Sequence, residues 1–103
     1  LKCRYDVGID NIAWECDYPH SDCIWPDAPE FLMHELSEAG LNDEEIHKVS
    51  WQNACRFFDY DPFKVIKRED ATVGALRKLS PDVDTSTRSR VEWKALYEAG
   101  HAG

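Results

Sequence analysis

Residues 11–22 contain the side chains of this 103-residue chain that are best suited to chemistry. A short apolar run at 12–14 leads to Asp17, and His20 and Asp22 follow shortly after. Carboxylate and imidazole groups bind divalent cations, and a carboxylate beside a metal ion can accept the proton of an activated water molecule. Asp17 is therefore a candidate metal ligand and catalytic residue. His20 is a candidate contact for the substrate or for the metal shell.

The neighbours of Asp17 extend this hypothesis. Asp22 and Trp25 lie in the loop that follows, where we expect them at the rim of a substrate pocket, since aromatic side chains there supply apolar contact area. Side chains alternate along a strand, so Glu15 is expected on the same face as Asp17, and Cys16 on the other face.

Two other interpretations of this segment stay open. Cys16, Asp17, His20 and Cys23 have the residue types of a structural zinc site, although such sites normally use two short-spaced pairs and a second pair is absent here. An Asp at the end of a strand also commonly accepts hydrogen bonds from the backbone of the next loop.

The elements that would position these residues follow from the pattern. The apolar run at 12–14 comes after a turn-forming stretch at 8–11, which predicts a buried parallel strand. Pro19, Pro26 and Pro29 cannot continue a ladder or a helix interior, so they predict a loop over the carboxyl end of that strand.

Two helices are predicted after the loop. Asp27 is placed to cap the first helix, and Gly40 to end it. Asn42 as a cap, with Glu45 three residues later, predicts the start of a second helix over about 43–58.

Asn53 on the second predicted helix is interpreted as structural, with its amide bonded to a backbone loop. Beyond residue 62 the composition becomes more charged. A short helix is predicted at 69–79, an extended or mobile segment at 82–90, and one or two helical turns around 91–97.

Residues 17–20 read Asp-Tyr-Pro-His, and with their flanks they closely resemble the last barrel strand of the amidohydrolase-related family of metal-dependent hydrolases and decarboxylases. The resemblance runs from about 10 to 62. It implies an α/β fold class, namely the C-terminal fragment of a TIM (β/α)₈ barrel, with the last strand plus the following helices and mostly helical as it stands. Residues 1–62 would be the barrel portion and 63–103 a C-terminal tail.

The resemblance also implies a function. Water activated by a divalent metal, with Zn²⁺ as the first candidate, would attack a small carbonyl-type substrate beside Asp17, while His20 and Trp25 contact that substrate. A metal-dependent decarboxylase of the same family is the alternative. The His-x-His pair of the family is absent from the 103 residues, and a barrel needs about 250 residues. The chain is therefore expected to be part of a longer enzyme and to be inactive alone.

Composition limits the partners. Twenty acidic and 12 basic side chains give a net charge of -8, which argues against nucleic acid and against an anionic membrane surface. The sequence has neither a signal segment nor an apolar run of membrane-spanning length. Four cysteines are too few for a disulfide scaffold, so reduced thiols and a cytoplasmic location are expected. A homo-oligomer of the full-length enzyme is compatible with these features.

A non-enzymatic hypothesis competes with this one. The chain would then be a small helical domain that binds a protein partner through its Trp and Phe side chains, and residues 17–20 would be no more than a turn. A fragment of a larger enzyme should instead expose large apolar areas where its missing part packed.

Overall fold

A computed structural model describes residues 1–101 of the chain, and its regular elements are helical. A π-helical segment, Lys48–Gln52, joins the α-helices Asp43–His47 and Asn53–Phe57 into one continuous helix. Three short 3₁₀ segments are Ile9–Asn11, Pro62–Lys64 and Arg68–Ala71. The α-helices are α1 (Arg4–Val7), α2 (Ala28–Glu38), α3 (Asp43–His47), α4 (Asn53–Phe57), α5 (Val73–Leu79) and α6 (Arg90–His101).

A reciprocal cap starts the continuous helix over 43–57. The Asn42 side chain accepts a hydrogen bond from the Glu45 backbone N–H at 2.9 Å, and the Glu45 carboxylate accepts one from the Asn42 N–H at 3.1 Å. Each bond satisfies a backbone donor that the first helical turn leaves without a partner. The second predicted helix is confirmed, and the π-helical turn within it was not predicted.

The first predicted helix is also confirmed, but its cap is not. Helix α2 begins directly after Asp27 and is followed by Gly40, which has a φ of +77°. A positive φ is easily adopted by glycine, so Gly40 lets the chain leave the helix. The Asp27 side chain does not cap α2. Its carboxylate instead accepts a hydrogen bond from the Thr87 hydroxyl at 2.5 Å.

The prediction of an α/β barrel fragment with a last strand is wrong, because no strand or sheet occurs in the described chain. Residues 12–16 are outside any helix, and Ile12 has extended backbone angles. A strand needs a neighbouring strand to satisfy its backbone groups. Here the neighbour is a helix, since the Trp14 N–H donates to the Val49 carbonyl at 3.1 Å.

Asn53 binds the start of this extended segment, and the turn before it, to the helix. Its side-chain amide donates to the backbone carbonyls of Ile9 and Ile12, at 2.8 Å each. Only 3% of Asn53 is exposed. The interpretation of Asn53 as a structural amide that bonds to a backbone loop is confirmed.

The buried apolar core is small. Leu36, Leu41 and Val49 form it, and partly buried side chains of the extended segment, α2 and α3 pack around them. The radius of gyration is 16.8 Å, whereas a compact domain of this length has about 13 Å. Many large apolar side chains are exposed, including Phe57 and Val65. None of the described helices is both long and apolar enough to cross a membrane.

The segment after residue 62 contacts the first part of the chain. Arg77 of α5 forms an ion pair with Glu30 of α2, at 2.5 Å between Nη1 and Oε1. Two helical segments, Arg68–Ala71 and α5, cover the predicted helix at 69–79. The helical turns predicted around 91–97 are part of a longer helix, α6. The boundary at residue 62 stays a prediction.

Candidate metal-binding site

The extended segment brings Asp17 to the surface. Exposure alternates along it, with Ile12, Trp14 and Cys16 half-buried and the residues between them exposed. Ile12 and Trp14 pack against the core, so the alternate side chains are directed to solvent. Glu15 and Asp17 are both exposed. Cys16 is less exposed than either, as the alternation predicts, but the strand whose face Glu15 and Asp17 were expected to share is absent from the described residues.

A turn follows at once. Asp17 has a φ of +57°, a left-handed conformation that Asp tolerates better than most residues. Its backbone carbonyl accepts a hydrogen bond from the His20 N–H at 2.9 Å, which closes the turn over 17–20. The turn brings the His20 side chain back to the Asp17 carboxylate.

The two side chains are in contact. His20 Nδ1 lies 2.5 Å from Asp17 Oδ2, and 70% of the His20 side chain and 49% of the Asp17 side chain are exposed. An ionised carboxylate can only accept a hydrogen bond, so with Asp17 ionised this contact requires a proton on His20 Nδ1. A divalent cation could take the place of this proton, held by Nδ1 and the Asp17 carboxylate together.

Asp22 completes a group of three potential ligands. One ligand atom each of Asp17, His20 and Asp22 lies within 4.8 Å of the others, and all three residues are exposed. Ligands of a tetrahedral Zn²⁺ are about 2.0–2.2 Å from the ion and therefore about 3.3 Å from one another. The oxygen and nitrogen donors fit a divalent cation. The three ligand atoms are at most 4.8 Å apart, so rotation of these exposed side chains can bring them to ligand spacing.

The residues that the sequence singled out are only partly brought together. Among the described residues, the ligand group joins Asp17 and His20 to Asp22, without Cys16 or Cys23, so the four-ligand zinc interpretation is wrong. Asp22 had been expected only at a pocket rim, although its position two residues after His20 in a tight loop is a usable signal. Trp25 lies outside the group and packs against Tyr18, with ring centroids 5.6 Å apart.

Comparison with known proteins adds no further assignment. No model of a protein family matches the chain, and no curated protein matches it at a significant level. The resemblance of residues 10–62 to the amidohydrolase-related family therefore stays a prediction.

Proposed function

We propose that this chain is the C-terminal part of a metal-dependent hydrolase of the amidohydrolase-related family and supplies part of its metal site. The observation that carries the proposal is the contact between His20 Nδ1 and Asp17 Oδ2, with Asp22 beside it. The contact turns an exposed Asp and an exposed His into an oriented pair. Such a pair is suited to holding a divalent cation.

Each side chain has a separate role in this proposal. Asp17, Asp22 and Nδ1 of His20 would hold the ion, which would take the place of the proton between Nδ1 and Asp17 Oδ2. When bound, a divalent ion such as Zn²⁺ supplies Lewis acidity, which lowers the pKa of a coordinated water molecule toward neutrality. The second oxygen of the Asp17 carboxylate would serve as the general base for that water. Trp25 contacts the substrate from its position against Tyr18.

The substrate in this proposal is a small molecule with a carbonyl-type centre, and neither nucleic acid nor a membrane is a partner. Decarboxylation by the same kind of site is the alternative, in which the ion holds the carboxylate of the substrate. The four cysteines of the chain are free thiols, which supports a cytoplasmic enzyme. A homo-oligomer is proposed only for the full-length enzyme.

Zinc binding to the 103-residue chain tests the metal site directly. Zn²⁺ titration followed by NMR of the imidazole nitrogens should perturb His20 at lower metal concentrations than His34, an exposed histidine on α2. Asp17→Asn should weaken binding at His20 by at least about tenfold, the usual cost of losing an orienting carboxylate or a ligand. Asp82→Asn removes an exposed carboxylate outside the group and should leave the zinc affinity at His20 unchanged. An equal response of His20 and His34 would overturn the proposal.

The catalytic assignment is tested in the full-length protein. Asp17→Asn should remove most of the turnover and leave the far-UV circular dichroism spectrum unchanged, because Asp17 is exposed and outside the core. Unaltered turnover would contradict the role of Asp17. The mass of the polypeptide in its native host provides a second test, since a mass near 11.9 kDa would leave the proposed site without the remaining ligands of the family.

A second candidate function is binding of a protein partner. It is favoured by the exposed pair Phe57 and Phe58, whose side chains are 81% and 73% exposed and whose rings meet edge to face at 5.0 Å. Adjacent exposed aromatic side chains are typical of interaction surfaces. Cooperative unfolding of a metal-free chain would support this candidate. A chain that unfolds without a cooperative transition would exclude an autonomous binding domain.

A further inference from the structure

A groove of about 590 Å³ lies between the loop before α2 and the segment that begins at α5. Trp14 and Trp25 contribute aromatic surface to it, and Leu76 and Val83 contribute aliphatic surface from the distant segment. Pockets that hold small molecules have volumes of about 300–1,000 Å³ and mostly apolar linings with aromatic side chains. The groove therefore has the size and the surface for a molecule of one or two rings.

The charge of the groove restricts the ligand further. The chain carries a net charge of -8, yet none of the described residues that line the groove is an Asp or a Glu. Its one charged side chain is Arg77, and Nη1 of this guanidinium is paired with Glu30 at 2.5 Å. A cationic ligand would meet no carboxylate in the lining, and an anionic ligand would meet a guanidinium whose charge Glu30 already balances. These charges favour a neutral ligand.

Hydroxyl groups supply the polar contacts. Ser80 and Thr85 line the groove, and both are exposed. Within residues 1–101, neither hydroxyl has a side-chain hydrogen bond of its own. A hydroxyl group can both donate and accept, so either side chain can bond to a ligand hydroxyl.

We propose that this groove is a binding site for a neutral, planar molecule of one or two rings that carries a hydroxyl group, a ligand of the phenol class. Asp17, His20 and Asp22 do not line the groove, so its ligand would not contact the metal-binding group, although Trp25 belongs to both proposals. Trp14 and Trp25 provide the aromatic faces, and burial of one ring between apolar side chains supplies the affinity.

Binding of 2-naphthol to the 103-residue chain tests this inference. The four tryptophans give four indole N–H signals by NMR, of which Trp14 and Trp25 line the groove and Trp51 and Trp93 do not. Saturable shifts are expected at Trp14 and Trp25 alone. The anion 2-naphthoate has the same rings but carries a charge that is costly to desolvate, so it should bind at least about tenfold more weakly.

Two matched variants on α5 locate the ligand. Leu76→Gln places an amide in the lining and should weaken 2-naphthol binding, whereas Leu79→Gln changes a 72% exposed residue outside the groove and should not. Equal shifts of all four indoles, equal affinity for 2-naphthoate, or equal effects of the two variants would each overturn the proposal. Asp17→Asn should leave 2-naphthol binding unchanged, so this test is independent of the proposed metal site.

Discussion

Arg77 and Glu30 form an ion pair, with Nη1 of Arg77 2.5 Å from Oε1 of Glu30, across 47 residues of the sequence. The pair joins α5 to the first turn of α2. The hydrogen bond from Arg77 lowers the pKa of the Glu30 carboxyl, and the same bond raises the pKa of Arg77. Both side chains are substantially exposed, so solvent and salt weaken the interaction.

The lowered pKa of Glu30 predicts how docking of α5 depends on pH. The contribution of the pair is present above the ordinary pKa of 4.5, and it is lost as the pH falls through the lower pKa of the folded state. The Glu30 titration, followed by NMR of its carboxyl carbon, should therefore have a midpoint below 4.5. Arg77→Gln should raise this pKa toward the ordinary value. Lys78→Gln makes the same charge change on the neighbouring residue and should leave the pKa of Glu30 lowered.

Loss of the Asn53 amide should destabilise the chain. Asn53→Ala leaves the partly buried carbonyls of Ile9 and Ile12 without their donor, and loss of a partner at a buried polar group costs about 1–3 kcal/mol. Urea unfolding should give a loss in this range. Asn11→Ala removes an exposed amide that bonds to the Val7 carbonyl and should change the free energy of unfolding by less than about 0.5 kcal/mol. Equal losses for the two variants would contradict the structural role of Asn53.

The small core predicts a large effect at its centre. Leu36 is 2% exposed, and Leu36→Ala should lower the free energy of unfolding by about 2–5 kcal/mol, through lost burial and the cavity that remains. Leu79→Ala is the matched control because Leu79 is 72% exposed. This variant should leave the free energy of unfolding nearly unchanged. Thermal unfolding followed by circular dichroism measures both variants. A stable Leu36→Ala chain would mean that α2 does not depend on this core.

The cap of α3 gives a prediction about a helix end. Asn42→Ala should lower the stability of the helix by about 1 kcal/mol, the usual value of an N-cap hydrogen bond. Amide hydrogen exchange should become faster in α3 and stay unchanged in α6. Asn42→Asp keeps an acceptor at the same position and should preserve most of the protection, so an equal loss in both variants would contradict the cap.

The stabilisation that Glu45 gives to this cap should depend on pH. The Tyr5 hydroxyl donates to the Glu45 carboxylate at 2.7 Å, and this bond, followed by the bond from the Asn42 backbone, lowers the pKa of Glu45. Stabilisation by Glu45 is therefore complete above its ordinary pKa of 4.5 and disappears as the pH falls through the folded-state pKa. Tyr5→Phe should raise the pKa of Glu45, measured by NMR titration. An unchanged pKa would show that Tyr5 does not contact Glu45 in solution.

Local signals account for the features that could be predicted. The Asn42 cap and its Glu45 partner are three residues apart, so the sequence alone indicates where α3 begins. The alternation of residues 12–17 is also local, and the exposure of the side chains follows it. The apolar run at 12–14 was misread as part of a sheet because hydrophobicity reports burial and not the identity of the neighbour.

The sequence by itself determined the capped start of α3, the acidic charge and the residue types of the candidate metal site, because these depend on composition or on neighbours a few positions apart. Tertiary structure decided the rest. It paired the extended segment with Val49 of a helix instead of a strand, and it brought Arg77 and Leu76 to the loop that contains Trp25. Such contacts join residues far apart in the chain, and their energies depend on packing that no short sequence pattern contains.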